Sequence, residues 1–293
     1  IHMEKKPLVV VNGLVRKDAI AYLKEHVDVR QWTEKTVMPR ETLKEWLVDA
    51  DGLWCVRPLD VDGDLVKNAP NLKVIAQAAV GYDNVKIDEL TAAGIPYGNT
   101  PGVLNETVAE LAFTLIATAS RRILENANFV KEGRWAQRPS NIKGFDLSRR
   151  TLGIIGMGAI GVSISRRARA FGMTVVYHNR NQRIDDKIHK TTYMELDDLL
   201  ATSDVVCVMA PLTDETYHMC DEAFFKKMKN TALFVNVGRG PIVDTDALIN
   251  ALKTGEIDYA ALDVTDPEPL PADHPLLDVE NCLIVPHIGS YTD

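Results

Sequence analysis

Residues 151–161 read TLGIIGMGAIG, and no other segment is as informative about the architecture of this chain. A short apolar strand is followed at once by the pattern GMGAIG at 156–161, which opens a segment of helical periodicity. A G-x-G-x-x-G pattern in that context is typical of a dinucleotide-binding βαβ unit. Gly156 permits the tight turn, Gly158 lets a pyrophosphate approach the backbone, and Gly161 allows helix and strand to pack closely.

The second strand of this unit, predicted at 174–177, runs into His178, Asn179 and Arg180. An NAD-binding unit usually has Asp or Glu there, where it binds the ribose hydroxyls. A carboxylate would repel a 2′-phosphate, whereas an arginine can bind it through a charge-assisted contact. Asn179 and Arg180, with Arg183 nearby, therefore predict NADP(H) as the preferred cofactor. Use of NAD(H), and a solvated loop without a ligand, are left open.

Strands and helices alternate along both halves of the chain, which predicts βαβ units and parallel sheets. The predicted strands are 7–12, 51–56, 72–77, 152–155, 174–177, 205–209, 232–236, 259–263 and 282–286. The six strands of the second half match a doubly wound sheet.

A long helical pattern covers residues 105–132, after a Pro101-Gly102 turn and with Asn105 as the expected N-cap. Such a helix can connect two domains or form an oligomer interface. It can also be a plain amphipathic helix at the surface, and the pattern does not choose among the three.

The composition excludes several classes of protein. The 293 residues carry a formal net charge of −8, which argues against a nucleic-acid-binding face. No apolar run reaches the roughly 18 residues of a membrane span. The four cysteines are widely spaced and form no C-x-x-C pair, so we expect reduced thiols in a cytoplasmic protein.

Three later stretches each place a chemically useful side chain just past a predicted strand. These are Arg239 in FVNVGRGPIVD, Glu268 in ALDVTDPEPL and His287 in IVPHIGS. The carboxyl edge of an open α/β sheet is where ligands bind, so the three are candidate catalytic residues. Reduction of a 2-keto acid needs a proton donor for the carbonyl oxygen, which His287 can be. Glu268 can orient the imidazole, and Arg239 can bind the substrate carboxylate and polarise the keto group.

The sequence resembles the D-isomer-specific 2-hydroxyacid dehydrogenase family over nearly its whole length. The resembling stretches are GIIGMGAIG from Gly153, FVNVGRGPIVD from Phe234, LDVTDPEPLPADHPLL from Leu262, PHIGS from Pro286, AAVGYDNVKID from Ala78 and TPGVLNETVAELAFTLI from Thr100. Within the family it looks similar to glyoxylate/hydroxypyruvate reductases and 2-ketogluconate reductases. The resemblance implies NADP(H)-preferring reduction of such 2-keto acids to D-2-hydroxy acids, with His287 as general acid and base.

The resemblance also implies site residues. Arg239, Glu268 and His287 form the catalytic set, and no metal is expected. The substrate-binding residues are Val80, Gly81, Arg239 and Ser290. The cofactor-binding residues are Thr107, Gly156, Gly158, Ala159, Ile160, Gly161, Asn179, Arg180, Pro211, Thr213, Val237 and Asp263, with Asp263 accepting from the nicotinamide carboxamide.

The implied architecture is α/β, with two doubly wound parallel-sheet domains in which a Rossmann cofactor domain is inserted in a flavodoxin-like substrate domain. The substrate domain is residues 4–100, to which 286–293 return, and the dinucleotide-binding domain is 101–285. The implied assembly is a homodimer with no nucleic-acid or membrane partner. Family members usually continue past the histidine in a helix that returns to the first domain, whereas this sequence ends at Asp293.

Two other functions are considered for the same fold. Phosphite oxidation shares the Arg/Glu/His set, and a nucleotide-sensing corepressor or scaffold would bind cofactor with poor turnover. Formate dehydrogenases carry a glutamine where this sequence has Glu268. The keto acid used is not encoded in the motifs. We expect its choice to lie with side chains that line the cleft, and the candidates are Arg57, Tyr82, Trp135 and Arg138.

Overall fold

The computed structural model describes residues 5–136 and 141–293, which form two compact units divided between Val103 and Leu104. Arg138, one of the candidate specificity residues, lies outside the described residues. Each unit has its own parallel sheet.

The first unit alternates short strands with helices. Its elements are β1 (Leu8–Val11), α1 (Lys17–His26), β2 (Asp28–Gln31), α2 (Arg40–Leu47), β3 (Gly52–Cys55), α3 (Gly63–Val66), β4 (Val74–Gln77), α4 (Ile87–Ala92) and β5 (Tyr97–Gly98). Five described strands pair in the order β2-β1-β3-β4-β5, with every pair parallel. This is the flavodoxin-like order, and its reversal point lies between β1 and β3.

The second unit starts with two helices and continues as a larger sheet. Its helices are α5 (Asn105–Ser120), α6 (Ile123–Lys131), α7 (Ala159–Ala170), α8 (Leu196–Thr202), α9 (Glu222–Lys227) and α10 (Thr245–Thr254), with 3₁₀ turns at Gly240–Ile242 and Pro275–Asp278. Its strands are β6 (Thr151–Ile155), β7 (Thr174–His178), β8 (Thr192–Tyr193), β9 (Val205–Val208), β10 (Leu233–Asn236), β11 (Tyr259–Leu262) and β12 (Cys282–Ile284).

These seven described strands pair in parallel in the order β12-β11-β10-β9-β6-β7-β8. The order reverses between β6 and β9, as in the Rossmann arrangement with a seventh strand added at one edge. The carboxyl ends of β6, β9, β10 and β11 therefore meet at one edge of the sheet.

Successive side chains of each strand point to opposite faces of this sheet, and an apolar core covers each face. Ile154 and Cys207 pack with α5 and α7, whereas Ile155 and Val208 pack with α8, α9 and α10. A sheet covered on both faces needs strands that are apolar throughout, and β9, β10 and β11 are buried at every position. The first unit has its own core, built from α2, α3, α4 and the strands that they cover.

The predicted pair of parallel-sheet α/β units is confirmed, but three short strands were not predicted. β2, β5 and β8 lie at or near sheet edges and are short or polar, so they lack the apolar run that marks an inner strand.

The long predicted helix is two helices. α5 ends at Ser120, and Arg122 adopts a left-handed conformation with φ 51° before α6 begins. The Arg122 guanidinium pairs with Asp258 at 2.8 Å and lies over the ring of Tyr259. Both partners lie more than 130 residues further along the chain, and their contacts stabilise the break between α5 and α6. The expected N-cap, Asn105, is the first residue of α5 and makes no capping hydrogen bond.

Residues 286–293 group with the second unit. Their return to the first domain, and with it the inserted arrangement of the domains, stays a prediction. All four cysteines are unpaired, and Cys55, Cys207 and Cys220 are buried. Among the described residues, no helix has both the length and the apolar character needed to cross a membrane.

Candidate active site

The glycine turn between β6 and α7 has the backbone geometry that its sequence predicts. Gly156 has φ 94°, and a Cβ there would collide with the backbone of Ala210. A Cβ on Gly158 would meet no atom within 4 Å, so it would fill open space. A Cβ on Gly161 would lie 3.1 Å from the Met157 sulfur, which shows how closely helix and turn pack.

The N-terminus of α7 is left open to a ligand. Gly158 is its N-cap, and no side chain caps the first turn. The N–H groups of Ala159, Ile160 and Gly161 donate to no acceptor in the described part of the chain. Such a helix start carries partial positive charge and free donors, which suit phosphate groups.

A cavity of about 510 Å³ lies in front of this turn. Its lining includes the predicted residues Gly156, Gly158, Asn179, Arg180, Pro211 and Thr213, and adds Met157, His178, Asn181, Met209, Glu215, Thr216 and Met219. The open space at Gly158, the free N–H groups and the apolar walls together fit a dinucleotide, with its pyrophosphate at the helix start.

The polar side chains of the loop after β7 differ in the contacts that they make. Asn179 exchanges two hydrogen bonds with the main chain of Met157, at 2.6 and 3.1 Å. Arg183 donates to both carboxylate oxygens of Asp185, at 2.8 and 2.7 Å, and to the carbonyl of Met157 at 3.1 Å. The hydrogen bond from Arg183 lowers the pKa of Asp185 to about 2.

Arg183 is therefore engaged within the loop, by an ion pair with Asp185. Arg180 itself is exposed, lines the cavity and has no hydrogen bond or ion pair within residues 5–136 and 141–293.

His287 and Glu268 form a hydrogen-bonded pair. Imidazole Nδ1 lies 2.8 Å from Glu268 Oε2, and both side chains are partly exposed. The bond to Glu268 raises the pKa of His287 above its ordinary value, against the effects of burial and the nearby charge of Arg239. Burial raises the pKa of Glu268, but the hydrogen bond and charge of His287 outweigh it and leave that pKa below its usual range. An ionised carboxylate only accepts, so Nδ1 carries the shared hydrogen.

The Arg239 segment is shaped by two residues that flank it. Asn236 is fully buried at the end of β10, where its carboxamide accepts from Gly238 N–H and donates to the Arg239 carbonyl, each at 3.0 Å. A Cβ on Gly240 would overlap the carbonyl of Thr265, so glycine lets this segment touch the one that carries Glu268. The charge of Arg239 acts on both members of the His287–Glu268 pair.

Asp263, at the end of β11, is 3% exposed and faces the segment of His287. Its two carboxylate oxygens accept from the N–H groups of Ile288 and Gly289 at 2.6 and 3.1 Å. Burial raises the pKa of Asp263 and outweighs those hydrogen bonds. This carboxylate supports the backbone beside His287, a use that the motif did not suggest.

The remaining predicted residues are placed as follows. In the first unit, Val80 and Gly81 follow β4, and their carbonyls accept from Asn99 and Gln77. Their N–H groups donate to nothing in the described chain, which leaves both free for an anion. In the second unit, Thr107 lies half-buried on α5, Ser290 is exposed, and Val237 is buried in the core.

Two residues that shape the site through their hydrogen bonds were not identified from the sequence. Asn236 shapes the Arg239 segment, and Thr216 shapes the cavity wall by donating to the Pro211 carbonyl at 2.7 Å and accepting from Thr213 N–H at 2.8 Å. Asparagine at a strand end and threonine three residues past another threonine are both typical of local turns, and that signal was available. Among the described residues, no cluster of His, Cys, Asp or Glu is arranged to hold a metal ion.

Comparison with known proteins agrees with this geometry. Residues 113–289 match the family model described as "D-isomer specific 2-hydroxyacid dehydrogenase, NAD binding domain". A glyoxylate reductase of Korarchaeum cryptofilum is 42% identical, with 97% of this chain and 87% of the relative covered.

Two solved structures are similar along almost the whole chain. A glyoxylate reductase from Paecilomyes thermophila has a TM-score of 0.89 at 31% identity, covering 99% of this chain and 90% of that one. An NADPH-dependent glyoxylate/hydroxypyruvate reductase from Sinorhizobium meliloti, in complex with NADP and malonate, has a TM-score of 0.88 at 29% identity, covering 98% and 88%. The glycine turn, the paired carboxylate and imidazole, and these matches lead to one conclusion: the chain belongs to the D-isomer-specific 2-hydroxyacid dehydrogenase family of NAD(P)-dependent oxidoreductases.

Proposed function

We propose that this protein reduces glyoxylate and hydroxypyruvate to D-2-hydroxy acids with a preference for NADPH, and that 2-ketogluconate is a further candidate substrate. The observation that carries the proposal is the 2.8 Å hydrogen bond between His287 and Glu268, within the electrostatic reach of Arg239. Relatives named glyoxylate reductase at about 40% identity support the choice of substrate class.

His287 is the proton donor in this proposal. Because Nδ1 is held by Glu268, Nε2 is the nitrogen left to face a substrate oxygen. Glu268 keeps the ring in one orientation and raises the pKa of His287, so the imidazolium persists to higher pH than it would without that partner. In the reverse direction the neutral imidazole takes the proton back from the hydroxyl group.

Arg239 binds the substrate carboxylate and polarises the keto oxygen. Its guanidinium can make two parallel hydrogen bonds to a carboxylate, which fixes orientation as well as charge. Asn236 and Gly240 hold its backbone in place. The free N–H groups of Val80 and Gly81 are proposed as further donors to the substrate carboxylate, and Ser290 as a further substrate contact. Bound nicotinamide supplies the hydride, and the chain supplies position and charge.

The preference for NADPH rests on Arg180. It follows the second strand of the βαβ unit, where an NAD enzyme usually has a carboxylate, and it lines the dinucleotide cavity. Its guanidinium has no acidic partner among the described residues, so it can bind a 2′-phosphate without first breaking an ion pair. The Sinorhizobium enzyme, a similar structure described as NADPH-dependent, was solved with NADP and supports NADPH as the cofactor.

The test is a kinetic panel in which glyoxylate, hydroxypyruvate, 2-ketogluconate and pyruvate are each offered with NADPH and with NADH. We expect loss of NADPH absorbance with the first two substrates, D-configured product from hydroxypyruvate, and kcat/KM about tenfold or more above that with NADH. The His287→Ala variant is the background control. Tight binding of NADPH without turnover of any of the four acids would contradict the proposal and favour a sensor.

We also propose that the first unit binds the substrate and the second unit binds the cofactor, and that the protein is a homodimer. Exposed apolar side chains on α6, namely Ile123, Leu124 and Val130, support a protein interface at this helix. Analytical ultracentrifugation that shows only monomer at micromolar concentration would contradict the homodimer.

A further inference from the structure

Asn179 stands at the position where dinucleotide-binding units usually place a ribose ligand, yet its side chain is already engaged. The N–H of Met157 donates to Asn179 Oδ1 at 2.6 Å, and Asn179 Nδ2 donates to the carbonyl of Met157 at 3.1 Å. One carboxamide thus pairs with both polar main-chain groups of a single residue, across 22 positions of sequence.

Met157 is the residue between the first two glycines of the turn. Its side chain is 2% exposed and packs in the core beneath α7. Its backbone is held by Asn179, and the next N–H, of Gly158, donates to the Gly156 carbonyl at 3.0 Å. The donors left for a phosphate therefore begin at Ala159. The Asn179 contact fixes which N–H groups point at the ligand.

A carboxylate cannot replace this arrangement. An amide both accepts and donates, whereas ionised aspartate only accepts and would set its second oxygen against the Met157 carbonyl. Arg183 also donates to that carbonyl, at 3.1 Å, and is itself held by Asp185. The loop after β7 and the glycine turn are thus joined at Met157 by two side chains.

We propose that Asn179 is a positioning residue that holds the glycine turn in its phosphate-binding shape for NADH and NADPH alike, while discrimination between them falls to Arg180. The inference rests on the proposed dinucleotide binding. It assigns Asn179 a different role from the direct cofactor contact that the family resemblance implies.

The decisive variant is Asn179→Asp, with the dissociation constants of NADH and NADPH measured by titration calorimetry on the full chain. If Asn179 positions the turn, both constants rise by about tenfold or more, because the Met157 carbonyl loses one of its two donors and faces a carboxylate oxygen. NADPH should weaken further than NADH, because the new charge also repels the 2′-phosphate. If Asn179 is instead a ribose ligand, the new carboxylate strengthens NADH binding. An NADH dissociation constant at or below the wild-type value would overturn the inference.

Acid provides a second readout that general damage to the fold would not produce. A protonated aspartic acid again has one donor and one acceptor, so it can restore both bonds to Met157. We expect NAD⁺ binding by Asn179→Asp, normalised to wild type, to recover several-fold as the pH falls from about 7 to about 4, where aspartate ordinarily titrates. NAD⁺ is the probe here because it lacks the titrating 2′-phosphate and withstands acid. Normalised affinity that stays flat or worsens in acid would count against the inference.

Asn181→Asp is the matched control. Asn181 is exposed on the same loop, lines the same cavity and makes no hydrogen bond in the described part of the chain. The substitution adds the same charge without touching Met157, so the change in NADH binding that it causes measures the effect of the charge alone, and we expect that change to be smaller than the one in Asn179→Asp. An equal loss in both variants would assign the effect to charge and overturn the inference. Wild-type protein that binds neither dinucleotide would refute the proposed function as well, whereas tighter NADH binding by Asn179→Asp refutes only the inference.

Discussion

The main-chain N–H of His287 donates to the carbonyl oxygen of Asp263 at 2.9 Å, with His287 in the left-handed conformation at φ 52°. The next two N–H groups, of Ile288 and Gly289, donate to the carboxylate of the same aspartate. A non-glycine residue at positive φ persists only where its surroundings hold it there. Asp263 supplies that support, and the orientation of the imidazole depends on it.

Asp263→Asn should weaken this support. The new amide must place an N–H against one of the two donors, so we expect the free energy of unfolding to fall by about 1–3 kcal/mol. Turnover should fall with it, because the segment of His287 loosens. Urea denaturation and kcat measure the two effects. Asp273→Asn, at an exposed position, is the control and should leave both unchanged. Wild-type turnover in Asp263→Asn would show that the segment holds without the carboxylate.

Glu268→Gln should move the pH profile. Reduction needs the protonated imidazole, so its rate falls as pH rises through the pKa of His287. Glu268 raises that pKa, and without its charge the falling limb should move to lower pH. For oxidation the rising limb should move in the same direction, because neutral imidazole then appears at lower pH. Glu222→Gln, at an exposed position of α9, should leave both limbs in place. A shift to higher pH would contradict the pairing.

His287→Ala should remove the proton donor and leave the cofactor cavity, which it does not line, intact. We expect kcat to fall by about two to four orders of magnitude, the usual contribution of general acid–base catalysis. NADPH affinity, measured by fluorescence titration, should stay within about threefold of wild type. Near wild-type turnover would exclude His287 as the proton donor.

Arg180→Ala and Arg183→Ala should have different effects on cofactor binding. Loss of Arg180 should weaken NADPH by about 10- to 100-fold and NADH hardly at all, since only NADPH has a 2′-phosphate for the guanidinium. Arg180→Asp should go further and shift preference toward NADH. Loss of Arg183 frees Asp185 and the Met157 carbonyl, so both cofactors should weaken together. Unchanged cofactor ratios in both Arg180 variants would refute Arg180 as the phosphate ligand.

Gly156→Ala and Gly158→Ala separate folding from binding. At Gly156, a Cβ collides with Ala210 and the backbone has positive φ, so we expect a loss of stability of about 1–3 kcal/mol or more. At Gly158, φ is −97° and the Cβ meets open space, so the melting temperature should hardly change. That Cβ occupies the space proposed for the pyrophosphate, so dinucleotide affinity should fall. Normal NADPH binding by Gly158→Ala would contradict a pyrophosphate site at this turn.

Much of the fold could be predicted because local patterns encode it. The buried strands β6, β9, β10 and β11 are apolar at nearly every position, and the glycines mark the turn into α7. β2 and β8 escaped prediction because an edge strand is defined by the neighbour with which it pairs, not by its own composition. The division of the long helix also depended on distant partners of Arg122.

The chain order of Arg239, Glu268 and His287, and their places just past the strands of a parallel sheet, could be determined from the residues alone, because strand periodicity and strand ends are local properties. Which polar groups meet was decided only by tertiary structure. Arg183 turned inward to Asp185, Asn179 to Met157, and Asp263 to the backbone past His287. Each of these side chains could form a hydrogen bond with several groups of similar chemistry. Which group it contacts depends on distances that are set by the packing of the sheet and helices.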